Sequence, residues 1–494
     1  MKYEIRTIKD EQIYHHSLLM VMMKAITEVY GMDVNVRVGN SLNQGFFVYI
    51  DDTSAPIETS AFEKIKSHMQ RIIEDDMPIV PIEMTNREAI ELWKAYDVPE
   101  KVKLLSMRDP EEKQVVYRIG DYRNSFYSEM LPSTGYIDTY EIRKYRNGLL
   151  LRVPNMLSGG EVSPYRDDDK LYEAFSESKK VRKSMGIDFL ADLNQRVLSG
   201  DVVNVIEESE KFQDREIKEL AKRIADEGRR LVLIAGPSSS GKTTFAKRLC
   251  AAIGDVAGQE PIYMGTDDYF VNRAETPLGE DGKPDYEGIA ALDIELFNQQ
   301  MNDLLNGKAV DAPVYDFITG EKQFGVRTIT PLEGQTLVIE GIHSLNDVLT
   351  ESIPADWKFK VYISPLTRVG IDRHNRLSTA DARLLRRMVR DNRSRGTDAA
   401  GTLSNWVNVR RGESNNIFPY SSCADYVFNS SLVYETAMLK VYAQPLLEAI
   451  EADAPEYEEA QRLIEFIKYF EPIDIKDSAA IADCSLLREF IGEK

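Results

Sequence analysis

The segment Gly236-Pro237-Ser238-Ser239-Ser240-Gly241-Lys242-Thr243-Thr244 has the composition and spacing of a phosphate-binding loop, Gly-x4-Gly-Lys-Thr. Its glycines let backbone N–H groups converge on phosphate oxygens, aided by the N-terminus of the helix that follows. Lys242 is expected to reach the β- and γ-phosphates of a nucleotide, and the Thr243 hydroxyl to ligate Mg²⁺. The flanking elements come in the required order. The apolar run Leu231–Ala235 reads as a buried parallel strand, and 242–253 as a helix closed by Gly254. Alone, the motif does not say which group receives a phosphoryl.

Phosphoryl transfer also needs a metal anchor, a base or orienting group for the acceptor hydroxyl, and cations for the moving charge. Glu340 ends a predicted strand over 336–340 just before Gly341, so its carboxylate emerges at the ligand-bearing edge of a sheet, where it can hold Mg²⁺ directly or through water. Asp267 and Asp268 follow a strand ending at Met264; a carboxylate there can accept a hydroxyl proton, while one of the pair caps the next turn. Arg383, Arg386, Arg387 and Arg390 fall at i, i+3, i+4 and i+7, on one face of a helix, and Arg393 and Arg395 follow before Gly396. Such a stripe is ordinarily solvated; beside a phosphate loop it suits a helix that closes over the nucleotide and excludes water.

These side chains need a frame, and 494 residues suggest two or three domains. From 229 to about 452, short apolar strands (261–264, 336–340, 359–363, 425–428) alternate with helical stretches (292–305, 366–375, 379–395, 400–412, 433–450). That pattern predicts an α/β domain, a doubly wound parallel sheet with ligands at the carboxyl ends of its strands. Residues 1–155 read as an α+β domain: helices at 13–30 (closed by Gly31), 61–75 and 86–96, and strands at 46–50, 115–119, 135–137 and 149–153. Residues 156–228 are charged and helix-favouring, a connector of two or three helices or a solvated linker, and 453–494 form a helical tail with no readable role. The net charge of −20, from 61 basic and 81 acidic residues, argues against a nucleic-acid surface. Three scattered cysteines suggest neither a zinc site nor disulfides, and no signal or membrane-spanning stretch is evident, so a cytoplasmic protein without a membrane partner is expected.

Residues 10–155 resemble the second N-terminal domain of threonyl-tRNA synthetases, which hydrolyses mischarged tRNA, most visibly at His15-His16-Ser17 and Leu131-Pro132-Ser133-Thr134-Gly135. The family's pocket combines a His-x3-His pair with a Cys-x3-His pair. Here Leu19 and Met20 stand four residues beyond the histidines, and Phe126 and Met130 occupy the Cys and His positions, so the domain is expected neither to hold zinc nor to edit aminoacyl-tRNA.

Residues 229–450 resemble the uridine kinase and phosphoribulokinase family through the phosphate loop, Thr266-Asp267-Asp268-Tyr269-Phe270, Tyr286-Glu287 before Leu292-Asp293-Ile294-Glu295-Leu296, Pro313-Val314-Tyr315-Asp316-Phe317, Ile339-Glu340-Gly341-Ile342 and Arg386-Arg387-Met388-Val389-Arg390-Asp391. The resemblance implies that Asp267 activates a 5′-hydroxyl, Glu287 (commonly Asp in the family) holds ribose hydroxyls, and Tyr315 packs near the base. It also implies that Glu340 serves the metal and that Arg386, Arg390 and Arg395 are lid arginines. The expectation is a kinase using ATP or GTP with Mg²⁺ on a nucleoside, uridine or cytidine, with a homo-oligomer left open. The alternatives are a kinase for another sugar or small metabolite, or a nucleotide-regulated RNA- or tRNA-binding protein.

Overall fold

A computed structural model describes residues 3–42, 44–50, 55–279, 282 and 284–493. Five parallel strands form the central sheet in the order Tyr426–Asn429, Lys358–Ser364, Leu231–Ala235, Leu337–Glu340, Ile262–Gly265. The strand leading into the phosphate loop is the middle one, with the third and fourth strands in chain order on either side, so the loop opens at the switch point of the sheet. Both faces are covered, as the uninterrupted apolar strands require. Val232 and Ile234 pack with Phe245, Leu249 and the connector residues Ile217 and Leu220; Leu231 and Leu233 pack with Phe297 and Met301.

The helix after the loop runs Lys242–Ala257, past the stop expected at Gly254. Gly258, at φ 68°, supplies the left-handed cap instead, its N–H donating to the Gly254 carbonyl. A helix expected over 366–375 does not form. The Asp372 carboxylate accepts the N–H groups of His374 (2.8 Å) and Asn375 (3.0 Å), a local arrangement that competes with helix formation. The polar stretch after Val310 forms an antiparallel hairpin, Val310–Asp316 with Glu321–Ile329.

In the N-terminal part the helix Ile8–Tyr30 starts earlier than its apolar pattern, because Thr7 and Asp10 make a reciprocal cap. It packs against a four-stranded antiparallel sheet, with a three-stranded sheet beside it. Gly135 lies not in a strand but in the 3-10 turn Thr134–Tyr136. The Asp76 carboxylate accepts the Gly135 N–H (3.0 Å) and the Ser133 hydroxyl, and a Cβ at Gly135 would stand 2.4 Å from Asp76 Oδ1.

The connector is three helices, Asp169–Ser184, Leu190–Leu198 and Val202–Asp226. Their residues Val181, Leu193 and Ile206 share one core with Leu384, Leu385 and Met388 of the helix Thr379–Ser394 and with Leu463, Ile467 and Phe490 of the tail.

Candidate active site

The phosphate loop is shaped by close backbone approach. A Cβ at Gly236 would stand 2.1 Å from the Ile363 carbonyl oxygen, and Gly241 caps the following helix at φ 88°. Ser239 holds φ 60°, a strained value for a non-glycine residue. Lys242 Nζ donates to the carbonyls of Gly236 (3.0 Å) and Pro237 (3.2 Å). The hydroxyls of Ser239 and Ser240 are buried with no hydrogen-bond partner among the described residues, so the loop has unused donors for a phosphate.

Glu340, at the end of its strand, meets the first residues of the helix. The Thr243 hydroxyl donates to Glu340 Oε1 (2.9 Å), as does the Tyr263 hydroxyl (3.3 Å). No group of three or more His, Cys, Asp or Glu is placed to hold a metal among the described residues. Thr243 and Glu340 suit Mg²⁺, which keeps several waters and takes few protein ligands alongside phosphate oxygens.

Asp267 follows the strand Ile262–Gly265 in the turn Thr266–Tyr269. Its side chain keeps solvent contact, yet the surrounding walls and then the Glu340 carboxylate push its carboxyl above the usual range, with Lys242 and Arg395 opposing. Asp268 is engaged elsewhere: it accepts Arg327 Nη1 (3.2 Å) and the Tyr315 N–H (3.4 Å), tying the turn to the hairpin. Glu287 keeps solvent contact, yet the walls around it and then Glu413 push its carboxyl up, while Arg387 and Lys242 oppose; its Oε2 lies where a Cβ at Gly412 would come within 3.2 Å. Tyr315 is buried in an aromatic group with Phe270 (5.6 Å between ring centres) and Phe317 (5.1 Å).

The arginine stripe divides. Arg386 is fully buried behind the loop. It grips Glu435 (2.5 and 2.6 Å) and donates to the carbonyls of Ser239 (3.3 Å), Ser240 (3.2 Å) and Ser430 (2.9 Å). Arg383 pairs with Glu413, whose Oε1 accepts the Ser238 N–H (2.8 Å), and Arg387 donates to the Ser238 hydroxyl (2.8 Å). Arg390 and Arg395 converge on buried Asp391, at 2.7 and 3.4 Å, and Arg395 is mostly exposed. Of the expected lid arginines, then, Arg390 and Arg395 both pair with Asp391 and only Arg395 acts on the Asp267 carboxyl, whereas Arg386 lies buried behind the loop. The spacing Arg387, Asp391, Arg395 at i, i+4, i+8 marks Asp391 as a shared partner on sequence grounds. Glu413 and Glu435 have no local signal.

The tail also reaches the loop. The Thr244 hydroxyl donates to Glu489 Oε2 (2.9 Å), Leu486 lies 3.3 Å from a Cβ built on Gly241, and Arg386 stacks over Phe490.

In the N-terminal part the two histidines are spent on local partners. His15 Nε2 meets the Pro154 carbonyl (2.6 Å), so it carries the proton, and His16 Nδ1 meets the Ser128 hydroxyl (2.6 Å) with its ring stacked on Phe126. Burial drives the His16 pKa down to about 3, which keeps the ring neutral.

Residues 231–437 match the family model described as Phosphoribulokinase / Uridine kinase family. The chain is 26% identical over 206 residues to a uridine kinase of Deinococcus deserti, covering 42% of this chain and 89% of that protein. It is 29% identical over 195 residues to a uridine kinase of Anoxybacillus flavithermus, covering 39% and 82%. Its N-terminal part is similar to a threonine–tRNA ligase of Caldanaerobacter subterraneus subsp. tengcongensis, 30% identical over 142 residues, which are 28% of this chain but only 22% of the ligase. The C-terminal half is thus similar to the phosphoribulokinase and uridine kinase family over 231–437 and carries a phosphate-loop motif on a parallel sheet, joined to a segment similar to one part of a much longer ligase.

Proposed function

We propose that the protein transfers the γ-phosphoryl group of ATP or GTP to the 5′-hydroxyl of a nucleoside, uridine or cytidine. The observation that carries this reading is the setting of Asp267, whose carboxyl feels Glu340, Lys242 and Arg395 together in the region similar to uridine kinases. Asp267 takes the hydroxyl proton as the acceptor oxygen bonds to the γ-phosphorus and the bond to the β-phosphate oxygen breaks. Lys242 and the loop N–H groups hold the donor phosphates, and Arg390 and Arg395 offset charge on the moving group. Mg²⁺ held at Thr243 and Glu340 would neutralise phosphate oxygens. Glu287 would hold the ribose hydroxyls, and Tyr315 with Phe270 and Phe317 would pack the base.

A second reading keeps the chemistry and changes the acceptor to another sugar or small metabolite. It is favoured by the long Glu287 carboxylate and by His343, a buried imidazole beside the Glu287 backbone. Coupled ADP detection over a panel of nucleosides and sugar phosphates separates the two. Turnover with uridine or cytidine is expected, and its absence with every pyrimidine nucleoside would sink the nucleoside version.

A further inference from the structure

A cavity of about 590 Å³ lies between the N-terminal part and the C-terminal half, and neither Asp267 nor Lys242 lines it. That volume is within the range that holds a cofactor-sized ligand. One wall comes from the first helix and the strand Val36–Leu42, the other from the segment after the strand Lys358–Ser364 and from the helix Ala399–Asn416; Pro237 of the phosphate loop forms part of its floor.

Most charges lining it are matched. Arg410 pairs with Glu11 (3.2 Å), Arg383 with Glu413, and Asp381 with Arg462 (2.6 Å); Asp168 caps its own helix and accepts the Ser421 hydroxyl (3.2 Å). Arg376 is different. Among the described residues it has no carboxylate partner, its Nη2 donates only to the carbonyls of Thr367 and Arg368, and its Nε is buried without an acceptor. Burial, and then the nearby Arg182, lower its pKa to about 9, which leaves it charged at neutral pH. An uncompensated guanidinium on a cavity wall is relieved by an anion, and its fork is shaped for phosphate. The same cavity presents Phe46, Phe418 and Trp406, flat apolar surface for the body of such a ligand, and Asn40 and Ser414 as polar contacts.

We infer that this cavity is a second ligand site, which takes a phosphate ester of about mononucleotide size with its anionic group on Arg376. The site abuts the catalytic loop: Arg383 and Glu413, both on its wall, hold Ser238 from behind. A ligand seated there therefore bears on the loop through Glu413.

The test uses the full chain carrying Lys242→Ala, so that the loop cation does not contribute, with AMP as the probe in calorimetry. Saturable binding is expected. Arg376→Met, which keeps the volume and removes the charge, and Ser414→Phe, which fills the cavity and touches no ion pair, should each weaken it by about tenfold or more, that is, about 1.4 kcal/mol. Each variant is read only if it melts cooperatively, and either one suffices. A variant-free measurement accompanies them: AMP should slow amide hydrogen exchange in 366–378 and 399–416. No saturable binding up to millimolar AMP would overturn the proposal. So would binding that ignores both substitutions, or exchange that slows elsewhere and not in these two segments.

Discussion

The neighbouring carboxylates of Asp267 and Asp268 face different partners, and that difference decides their expected chemistry. Asp268 is held by Arg327 and the Tyr315 N–H, whereas Asp267 opens to the cleft beside Glu340 and Lys242. Asp267→Asn should therefore lower kcat by about 10²–10⁴ while leaving ATP binding intact. Lys242→Ala should impair both, and Asp268→Asn should loosen the hairpin and leave substantial turnover. Single-turnover kinetics with separate nucleotide titrations check this; an inactive Asp268→Asn beside an active Asp267→Asn would reverse the assignment. The pH dependence follows from the same surroundings. A base works only when ionised, and the Asp267 carboxyl is pushed upward by the surrounding walls and by Glu340. Activity should fall as pH drops through that raised pKa, so the acid limb of kcat/KM should lie above the ordinary aspartate value of about 3.9. A limb at or below that value would show that another group carries it.

At the scale of elements, the helix Thr379–Ser394 serves two purposes that its sequence does not separate. The spacing of Arg383, Arg386, Arg387 and Arg390 places them on one face, which is legible; what that face meets depends on Glu413 and Glu435, 30 and 49 residues from the arginines they bind. Arg386→Met would leave the Glu435 carboxylate buried without its partner, an expected loss of about 3–5 kcal/mol in chemical denaturation. Arg395→Ala, at an exposed position, should change stability by no more than about 0.5 kcal/mol and act on kcat instead. If Arg386→Met melts like the parent chain but loses turnover, its place is in the chemistry and not behind the loop. The same contrast runs through the other elements. The strand Leu231–Ala235 was readable because every residue is apolar and buried. The strand Glu321–Ile329 was not, because it is largely exposed and takes its pattern from pairing with Val310–Asp316. The stretch 366–375 has helix-compatible residues, yet Asp372 binds its own downstream N–H groups and Asn375 donates to the Ser125 carbonyl (3.0 Å) of the N-terminal part. Tertiary partners of that sort leave no periodic trace.

On the scale of the whole molecule, the divisions drawn from sequence at 228 and 452 cross one apolar core. Leu193 and Ile206 of the connector and Leu463, Ile467 and Phe490 of the tail are all buried in one core with Leu384, Leu385 and Met388 of the arginine-striped helix. Full burial of such a side chain contributes about 1.5–3 kcal/mol, so these five together account for about 8–15 kcal/mol, as much as the entire net stability of an ordinary domain. A fragment of residues 229–452 should accordingly lack a cooperative thermal transition, although it contains every proposed catalytic residue. A fragment of residues 156–494 should show one, because it keeps that core and also the contacts of Glu489 and Leu486 with the phosphate loop. Its midpoint should lie below that of the full chain, since it loses the docking of the N-terminal part, where Lys101 is buried near Asp372 (3.9 Å), Arg373 grips Glu100 (2.9 Å), and the Val38 N–H donates to the Arg373 carbonyl (2.8 Å). Calorimetry on the three proteins checks the order. A cooperative melt of 229–452 at the full-chain midpoint would mean that the connector and the tail are attachments, and the phosphate loop would then have to hold its shape without Glu489, Leu486 and Phe490.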